Sequence, residues 1–494
     1  MIWINGRIFS MIRWGILGAG KIAYRFAESL LNEPDSVLTA IAVRKEEKAL
    51  EFRKQFVFDR YYLDYQKLLE DREIDAIYLS LPHGLHKEWA IKALNCGKPV
   101  LCEKPAALNA EEMREIKDAA RKNDVLFMEA MKPRFTPMYE YIRNFITQGE
   151  IGEIVSIDTQ ICFSLLSYGM ENIWGKTYHT QKGQGGCLLD SGTYCASWII
   201  DYLKKPLSVL KTYVNVYDDI DIYVDSRLSD GKTTARMELG FDRNKPRDAI
   251  ITGTKGSIHI YDLHRPEKID IIRNDKTETV ELPCVNDDFY GEIHHFTELM
   301  KQGIKESPIM SLDDSIRCME VLDEIRNSFT EYDETDLEIL QEHEKILQYE
   351  SFSSKDALVL GNRIVSLLSD YDNGIALQIQ RNSDNAIIYQ YISDDKSDKN
   401  IAYIKMKRKV TELTGHSSMY PLIEYKATGQ MSAQMSVEDG FMPCAGSFPI
   451  RVKDETVGTV TVSGLHEGKD YEIVVRALSQ ILNKEIPDFY KATY

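Results

Sequence analysis

Arg13-Trp14-Gly15-Ile16-Leu17-Gly18-Ala19-Gly20-Lys21-Ile22-Ala23 is the stretch on which the reading of the fold turns. A short apolar run, 13–17, enters Gly18, and a helically periodic segment, 23–31, runs on until Asn32 and Pro34. Gly-x-Gly-x-x-Ala between a strand and a helix has a mechanical meaning. Gly18 allows the tight turn, Gly20 lets backbone approach a pyrophosphate, and Ala23 lets the helix pack closely on the strand. The helix N-terminus, at Lys21 and Ile22, then turns its positive dipole end toward phosphates. The bland alternative is a tight turn without a ligand.

Outward from this motif the same grammar persists. Strands are expected at 37–43, 76–80 and 100–102, with helices at 48–56 and 87–95. Alternating units of this kind build a parallel, doubly wound sheet, an α/β Rossmann domain over 11–131. Beyond about residue 150 come β-rich segments without long helices between them: 154–163, 208–216, 233–241, 249–252, 257–261 and 268–272. They imply an α+β domain over 132–330, with a mostly antiparallel sheet, one face of it for the substrate. A helix is expected at 313–329. The stretch 331–350, strongly acidic and weakly helical, reads as a connection to another domain. A separate compact α/β domain, 351–494, follows, with helices at 355–368, 401–413 and near 471–482. Its strands are expected at 375–380, 386–391, 447–452 and 458–463. Met11 is a natural start for the first strand, so residues 1–10 read as an extension or a mis-set start.

Composition narrows the function classes. The chain has 494 residues, a net charge of −17, 43% hydrophobic and 28% charged residues, which reads as globular. The negative balance argues against nucleic acid, since phosphate binding needs a basic footprint. The eight cysteines form no Cys-x-x-Cys pair, and buried, reduced thiols of a cytoplasmic protein are expected. No apolar run approaches the ~20 residues a bilayer span needs, and no signal peptide is read, so no membrane partner is expected.

Three further elements carry chemistry. The second strand ends Ala42-Val43-Arg44-Lys45, where an NAD site would place a carboxylate on the ribose 2′-hydroxyl. Two cations there suit a 2′-phosphate, so NADP is expected, with NAD the alternative; a solvated helix start is the bland reading. Glu103-Lys104-Pro105 follows a strand, which puts Lys104 at the ligand-binding edge of the sheet. Read without context, it is a surface turn. In Gly185-Gly186-Cys187-Leu188-Leu189-Asp190-Ser191-Gly192-Thr193-Tyr194, Asp190 and Tyr194 share a face if the segment is helical. Lys104 beside Tyr194 would draw its phenol toward neutrality, and Asp190 would bind substrate or fix the lysine. No metal is needed.

These elements, in this order, resemble the glucose–fructose oxidoreductase, inositol dehydrogenase and MocA-like (Gfo/Idh/MocA) family over residues 11 to about 330. Leu101-Cys102-Glu103-Lys104-Pro105, Phe127-Met128-Glu129-Ala130-Met131, Pro82-His83-Gly84-Leu85-His86 and Arg134-Phe135 all fit, closest to the dihydrodiol and NADP-linked pentose dehydrogenase branch. The resemblance implies roles. Lys104 is the catalytic lysine, Tyr194 the acid/base tyrosine and Asp190 the substrate-contacting aspartate. Pro82, His83 and His86 form the loop over the nicotinamide ribose, Glu103 sits beside the cofactor, and Arg134 contacts substrate. Lys132-Pro133 departs from the family pattern and bears on substrate identity.

The tail is similar to small bacterial domains labelled haem-degrading, over about 350–484, through Ser447–Val452, 457–465, 404–409 and Gly415-His416-Ser417-Ser418. Cys444 and Tyr471 stand where those domains often carry histidine. His416 reads as a turn cap or a metal ligand. The 405–409 run reads as a solvated helix face or an anion contact. The resulting expectation is a cytoplasmic NADP-dependent oxidoreductase of a cyclic alcohol, a sugar, polyol or trans-dihydrodiol, forming homo-oligomers through the sheet of its second domain. The alternatives are a dinucleotide-binding sensor, or haem or small-molecule binding by the tail.

Overall fold

Short apolar runs in the first 130 residues align as a six-stranded parallel sheet. Its order is Arg60–Tyr62, Ser36–Ala42, Ile12–Leu17, Ala76–Leu79, Val100–Glu103 and Phe127–Ala130. The last three are buried at every position, which is why they read as continuous apolar runs. The computed structural model describes residues 2–4, 7–9, 11–165, 175–217, 219–274, 276–329, 332, 334–371, 373–431, 433–465, 468–487 and 489.

The helix Lys21–Leu30 buries Ala23, Phe26, Ala27 and Leu30, one stripe at helical spacing. Phe26 stacks on Tyr78 of the neighbouring strand, ring centroids 3.7 Å apart. Trp14, fully buried, meets Phe26 at 5.3 Å and Phe296 at 5.2 Å. Its indole donates to Ser36 Oγ at 3.1 Å, which in turn meets Thr297 Oγ1 at 3.1 Å. That chain fastens the parallel sheet to the helix Tyr290–Gln302. Because the strands run one way, Gly18, Pro82 and Lys104 all follow carboxyl ends at one edge.

The second sheet has eight strands: Ser208–Tyr217, Ile220–Ser229, Thr234–Gly240, Ile154–Cys162, Ala249–Gly253, Gly256–Tyr261, Lys268–Arg273 and Lys276–Glu281. Its described pairings are antiparallel except where Thr234–Gly240 meets Ile154–Cys162. The helix Cys187–Tyr202 packs on the strands Ile154–Cys162, Ile220–Ser229 and Thr234–Gly240, and Leu312–Asn327 packs on that helix. The parallel sheet and this sheet, apart from Tyr213–Val216 of the strand Ser208–Tyr217, belong to one compact unit, Met1–Thr212 with Tyr217–Phe329.

The second unit comprises Tyr213–Val216 and Thr330–Tyr494. Its five-stranded sheet runs Gln348–Tyr349, Ser447–Val452, Glu455–Ser463, Ala376–Arg381, Ile387–Ile392. Two expectations fail here. The stretch 331–350 is not a bare connection (Glu331 and Asp333 lie outside the described residues). It forms the helix Glu334–Ile346, whose Leu340 joins the buried cluster with Leu377, Ile423 and Phe448. Its Glu344, also buried, accepts from Ser417 N and His416 Nδ1, both at 2.7 Å. The weak helicity read there is a helix that packs into the unit's core. Nor is the 405–409 run wholly solvated. Lys407 is buried, ion-paired with Asp470 at 2.7 Å. All eight cysteines are unbridged, and Cys96 alone among them is exposed. No helix among the described residues is long and apolar enough to cross a membrane.

A helix in the core responds to truncation where a linker would not. Leu340→Ala is expected to cost about 2–4 kcal/mol, read as an earlier unfolding transition of the C-terminal unit in urea.

Candidate active site

The glycine loop passes a simple test of fit. Gly18 has φ +97°, and a Cβ there would come within 2.9 Å of Ser80 O. A Cβ on Gly20 would meet nothing within 4 Å, so open space lies where the helix Lys21–Leu30 begins. That helix has no side-chain cap and no acidic residue in its first turn. Its first amides, at Lys21 and Ile22, are donors without an intrahelical acceptor. A groove of about 550 Å³ is lined by Gly18, Gly20, Arg44, Lys45, Tyr65 and Pro82. Every one of these but Tyr65 was a sequence candidate. Lys48 also lines it, and neither Lys48 nor Tyr65 carries a motif that marks it.

A second cluster forms at the next strand end. Lys104 Nζ lies 3.0 Å from Asp190 Oδ1 and 2.8 Å from Asp190 O. It also sits 4.8 Å above the centre of the Tyr194 ring. The segment is helical as expected, Cys187–Tyr202, so Asp190 and Tyr194 do share a face. Two devices fix its start. Asp221 Oδ2 accepts from Leu188 N at 2.7 Å. Gly186, with φ +105°, leaves the room Asp221 needs, since a Cβ would come 2.1 Å from its Oδ1. Asp221 comes from the strand Ile220–Ser229, which the sequence reading missed.

The electrostatics overturn one expectation. Burial raises the Tyr194 phenol well above its ordinary value, and the carboxyls of Glu103, Asp190 and Glu292 push the same way. Lys104 does not draw it toward neutrality, because the ammonium is committed to Asp190 and meets the ring face. Burial would also raise Asp190, but Lys104 and then His179 and His83 hold it at about 2. Asp190 therefore fixes the lysine.

The loop His83–Leu85 and the helix His86–Asn95 behave differently from one another. His83 lies close to Asp190 and Lys104, and burial, then His86, lowers its pKa to about 3, so the ring is neutral. His86 is fully buried, its Nδ1 2.7 Å from Pro105 O and its Nε2 2.6 Å from Leu81 O. It offers no surface to a ligand; it ties the 81–85 loop to the turn after Lys104. Glu103 is buried, accepts from the Tyr78 hydroxyl and from Lys104 N, and is raised chiefly by burial. Arg134 is no substrate contact. It is 4% exposed and donates to Ser197 Oγ at 2.7 Å, Ser197 O at 3.0 Å, Ile309 O at 2.9 Å and Asp314 Oδ2 at 3.0 Å. Those bonds use its fork to join three segments.

Further residues complete the surroundings, of which Lys132 alone was marked in the sequence. Tyr178 stacks on His179 at 3.8 Å and meets His83 edge-on at 4.9 Å. His264 lies 5.9 Å from Tyr194, ring to ring. Lys132, the family departure, is buried and paired with Asp288 at 2.5 Å. Glu292 is buried with neither carboxyl oxygen hydrogen-bonded. Among the described residues no group of three or more His, Cys, Asp and Glu side chains could hold a metal.

Comparison with known proteins accords with this geometry. Residues 12–131 match the "Oxidoreductase family, NAD-binding Rossmann fold" profile and 139–259 the "GFO/IDH/MocA C-terminal domain". A trans-1,2-dihydrobenzene-1,2-diol dehydrogenase of Xenopus tropicalis is 34% identical over 331 residues, 63% of this chain and 96% of the relative. The chain belongs to the Gfo/Idh/MocA oxidoreductase family. Another member, an NADP(+) scyllo-inositol 2-dehydrogenase of Bacillus subtilis (strain 168), is 30% identical over 64% of this chain and 96% of its own length. The solved 3-ketoreductase KijD10 of Actinomadura kijaniata, in complex with NADP and TDP-benzene, superposes with a TM-score of 0.58 at 27% identity. It covers 64% of this chain and 98% of its own. Residues 352–479 match "Haem degrading protein HbpS-like".

Two outcomes test this account of the family site. Arg134→Met leaves buried partners unsatisfied and is expected to cost about 3–5 kcal/mol in urea unfolding, with KM unchanged in the folded fraction. Asp190 has a folded pKa of about 2, below its unfolded ~3.9. Its stabilisation is thus complete above about pH 4 and lost as pH falls toward 2. The stability gap between wild type and Asp190→Asn should narrow by about 2 kcal/mol over that window.

Proposed function

We propose that this chain is an NADP-dependent oxidoreductase interconverting a cyclic secondary alcohol and its ketone, on a sugar, polyol or trans-dihydrodiol. The observation that carries the reading is the Lys104–Asp190–Tyr194 cluster, with Nζ 3.0 Å from the carboxylate and 4.8 Å from the ring centre. The relatives' names support the substrate class: a dihydrodiol dehydrogenase, an inositol dehydrogenase and a 3-ketoreductase. Gly18, Gly20 and the amides at Lys21 and Ile22 would hold the pyrophosphate, Arg44 and Lys45 the 2′-phosphate. His83 and Pro82 would border the nicotinamide end. When bound, the dinucleotide supplies or accepts the hydride.

Lys104 donates to the substrate oxygen and stabilises its developing negative charge. In reduction, Tyr194 gives its phenolic proton to that oxygen, completing the alcohol. In oxidation, the phenolate takes the hydroxyl proton as the carbon loses its hydride. Because burial holds the phenol protonated, the resting side chain is already the acid that reduction needs.

The described histidines of the C-terminal unit are engaged within it: His416 Nδ1 meets Glu344 Oε2 at 2.7 Å. His343 has both ring nitrogens engaged, by the Tyr471 hydroxyl at 3.0 Å and Pro487 O at 2.5 Å. No step is drawn through haem. Homo-oligomerisation through the second-domain sheet fits exposed Leu210, Ile250 and Ile272 on its strands, and light scattering decides it.

The test is a panel of inositols, hexoses and cyclic diols and ketones, followed by NADPH absorbance and repeated with NADH. Lys104→Met and Tyr194→Phe are expected to lower kcat by about 10²–10⁴ while NADPH affinity stays within a few-fold. A dinucleotide sensor would instead bind NADPH and turn over nothing. Oxidation should quicken as pH rises from neutral through the alkaline range, since phenolate is then more populated, while reduction stays flat. Arg44→Ala should weaken NADPH by about tenfold or more and leave NADH nearly unchanged.

A further inference from the structure

The second domain sends a strap, residues 178–184, across to the loop His83–Leu85 of the parallel-sheet domain. Two contacts come from one residue. Gln184 Oε1 accepts from Gly84 N at 2.9 Å, and Gln184 O lies 3.3 Å from His83 Nδ1. A carbonyl only accepts, so the second contact fixes the imidazole proton on Nδ1 and leaves a lone pair on Nε2. Tyr178 adds its ring edge to His83 from the same strap. The fit at Gly84 is close, since a Cβ there would come 2.4 Å from Gln184 Oε1. Gly175 (φ +67°), Gly183 (φ +75°) and Gly186 (φ +105°) flank or interrupt the strap, giving turns that other residues rarely adopt.

The strap borders the cofactor groove. A cavity of about 430 Å³ has Arg44, Pro82, Gly84 and Leu85 on one side and Lys182 and Gln184 on the other. Arg44 and Pro82 also line the groove that begins at Gly18. The two spaces thus share a wall, and the strap spans the outer one.

We propose that Gln184 is a positioning residue for the dinucleotide. It holds the 82–85 loop and the His83 ring against the groove from the opposite domain, and so slows cofactor release. The proposal rests on reading that groove as the dinucleotide site. A loop anchored on one side by His86, and on the other by Gln184, cannot swing out while both hold. Breaking the Gln184 contact frees the outer side alone.

The experiment compares full-length wild type, Gln184→Met, Gly84→Ala and the double variant. NADPH affinity is read by fluorescence titration and its release by stopped-flow displacement. Methionine keeps the length of glutamine and lacks the accepting oxygen. A net hydrogen bond of ordinary strength predicts a Kd and an off-rate about three- to tenfold higher for Gln184→Met. Gly84→Ala displaces the carboxamide from the other side and should give a similar loss. The double variant should be no worse than either single one, because both remove the same contact. KM for the dinucleotide should follow Kd, kcat should not fall, and Tm should stay within a few degrees. An off-rate within twofold of wild type for Gln184→Met, or additive losses in the double variant, would overturn the proposal. If wild type itself binds no NADPH, the reading of the groove fails first and this inference falls with it.

Discussion

An ammonium drawn largely out of water must find an anion, and that requirement organises this enzyme's site. Lys104 and Asp190 retain 13% and 10% side-chain exposure, and each would be costly alone. Satisfying them together demands that the end of the strand Val100–Glu103 meet the first turn of the helix Cys187–Tyr202. Much of the surrounding structure serves that meeting. Glu129 accepts from Ala106 N at 2.9 Å and steadies the turn beyond Pro105. His86 bolts the same turn to Leu81. Asp221 and Gly186 set where the helix begins. Trp14, Ser36 and Thr297 hold the two domains in register from below. The lysine then lies over Tyr194 because Asp190 and Tyr194 are one helical turn apart.

The parts of the fold that sequence made legible are those whose chemistry is local. Gly18 announces a backbone geometry that only glycine fills easily, Gly20 marks open space beside the helix start, and the apolar strands around them announce burial on two faces. Lys104, Asp190 and Tyr194 were readable because they sit in distinctive short motifs at predictable strand and helix ends. Arg134 was misread for the complementary reason. Its motif marks position in the family, while its four donated bonds to Ser197, Ile309 and Asp314 depend on segments more than sixty residues away. The strand Ile220–Ser229 escaped because its polar residues look unsuited to a sheet interior. Asp225 is tolerated there because Arg236, on the adjacent strand, donates to it at 2.8 and 2.6 Å. The helix Glu334–Ile346 read only as weakly helical and as a connection, because its acidic surface outweighed the few apolar positions that bury it.

The tyrosine shows why proximity in sequence logic does not set a pKa. A lysine over the face of a phenol ring is attracted to its quadrupole, whatever the charge on oxygen. Burial acts on the hydroxyl itself and disfavours the phenolate. With three carboxyls nearby and the ammonium spoken for, the neutral form wins. This sorts the acids around the site into two kinds. Asp190 is ionised because the Lys104 ammonium faces it. Glu103 and Glu292 are driven the other way, chiefly by burial and, for Glu292, by Glu103 beside it.

Glu292 makes the consequence concrete. Neither of its oxygens accepts a hydrogen bond, yet it lies near Glu103, Lys132 and Tyr194. An ionised carboxylate in that position would need a cation, and the nearby ammonium, Lys132, is committed to Asp288 at 2.5 Å. The low-energy state is the neutral acid, which can donate as well as accept. Separating carboxyl groups into one ionised and one neutral population is how a single cleft keeps both a charge partner and proton donors at the same pH. Here the separation follows from where each acid sits. Asp190 stands at the domain junction facing Lys104, and Glu292 lies buried in the first turn of the helix Tyr290–Gln302. The position of Lys104 decides the charge of Asp190, and burial beside Glu103 that of Glu292.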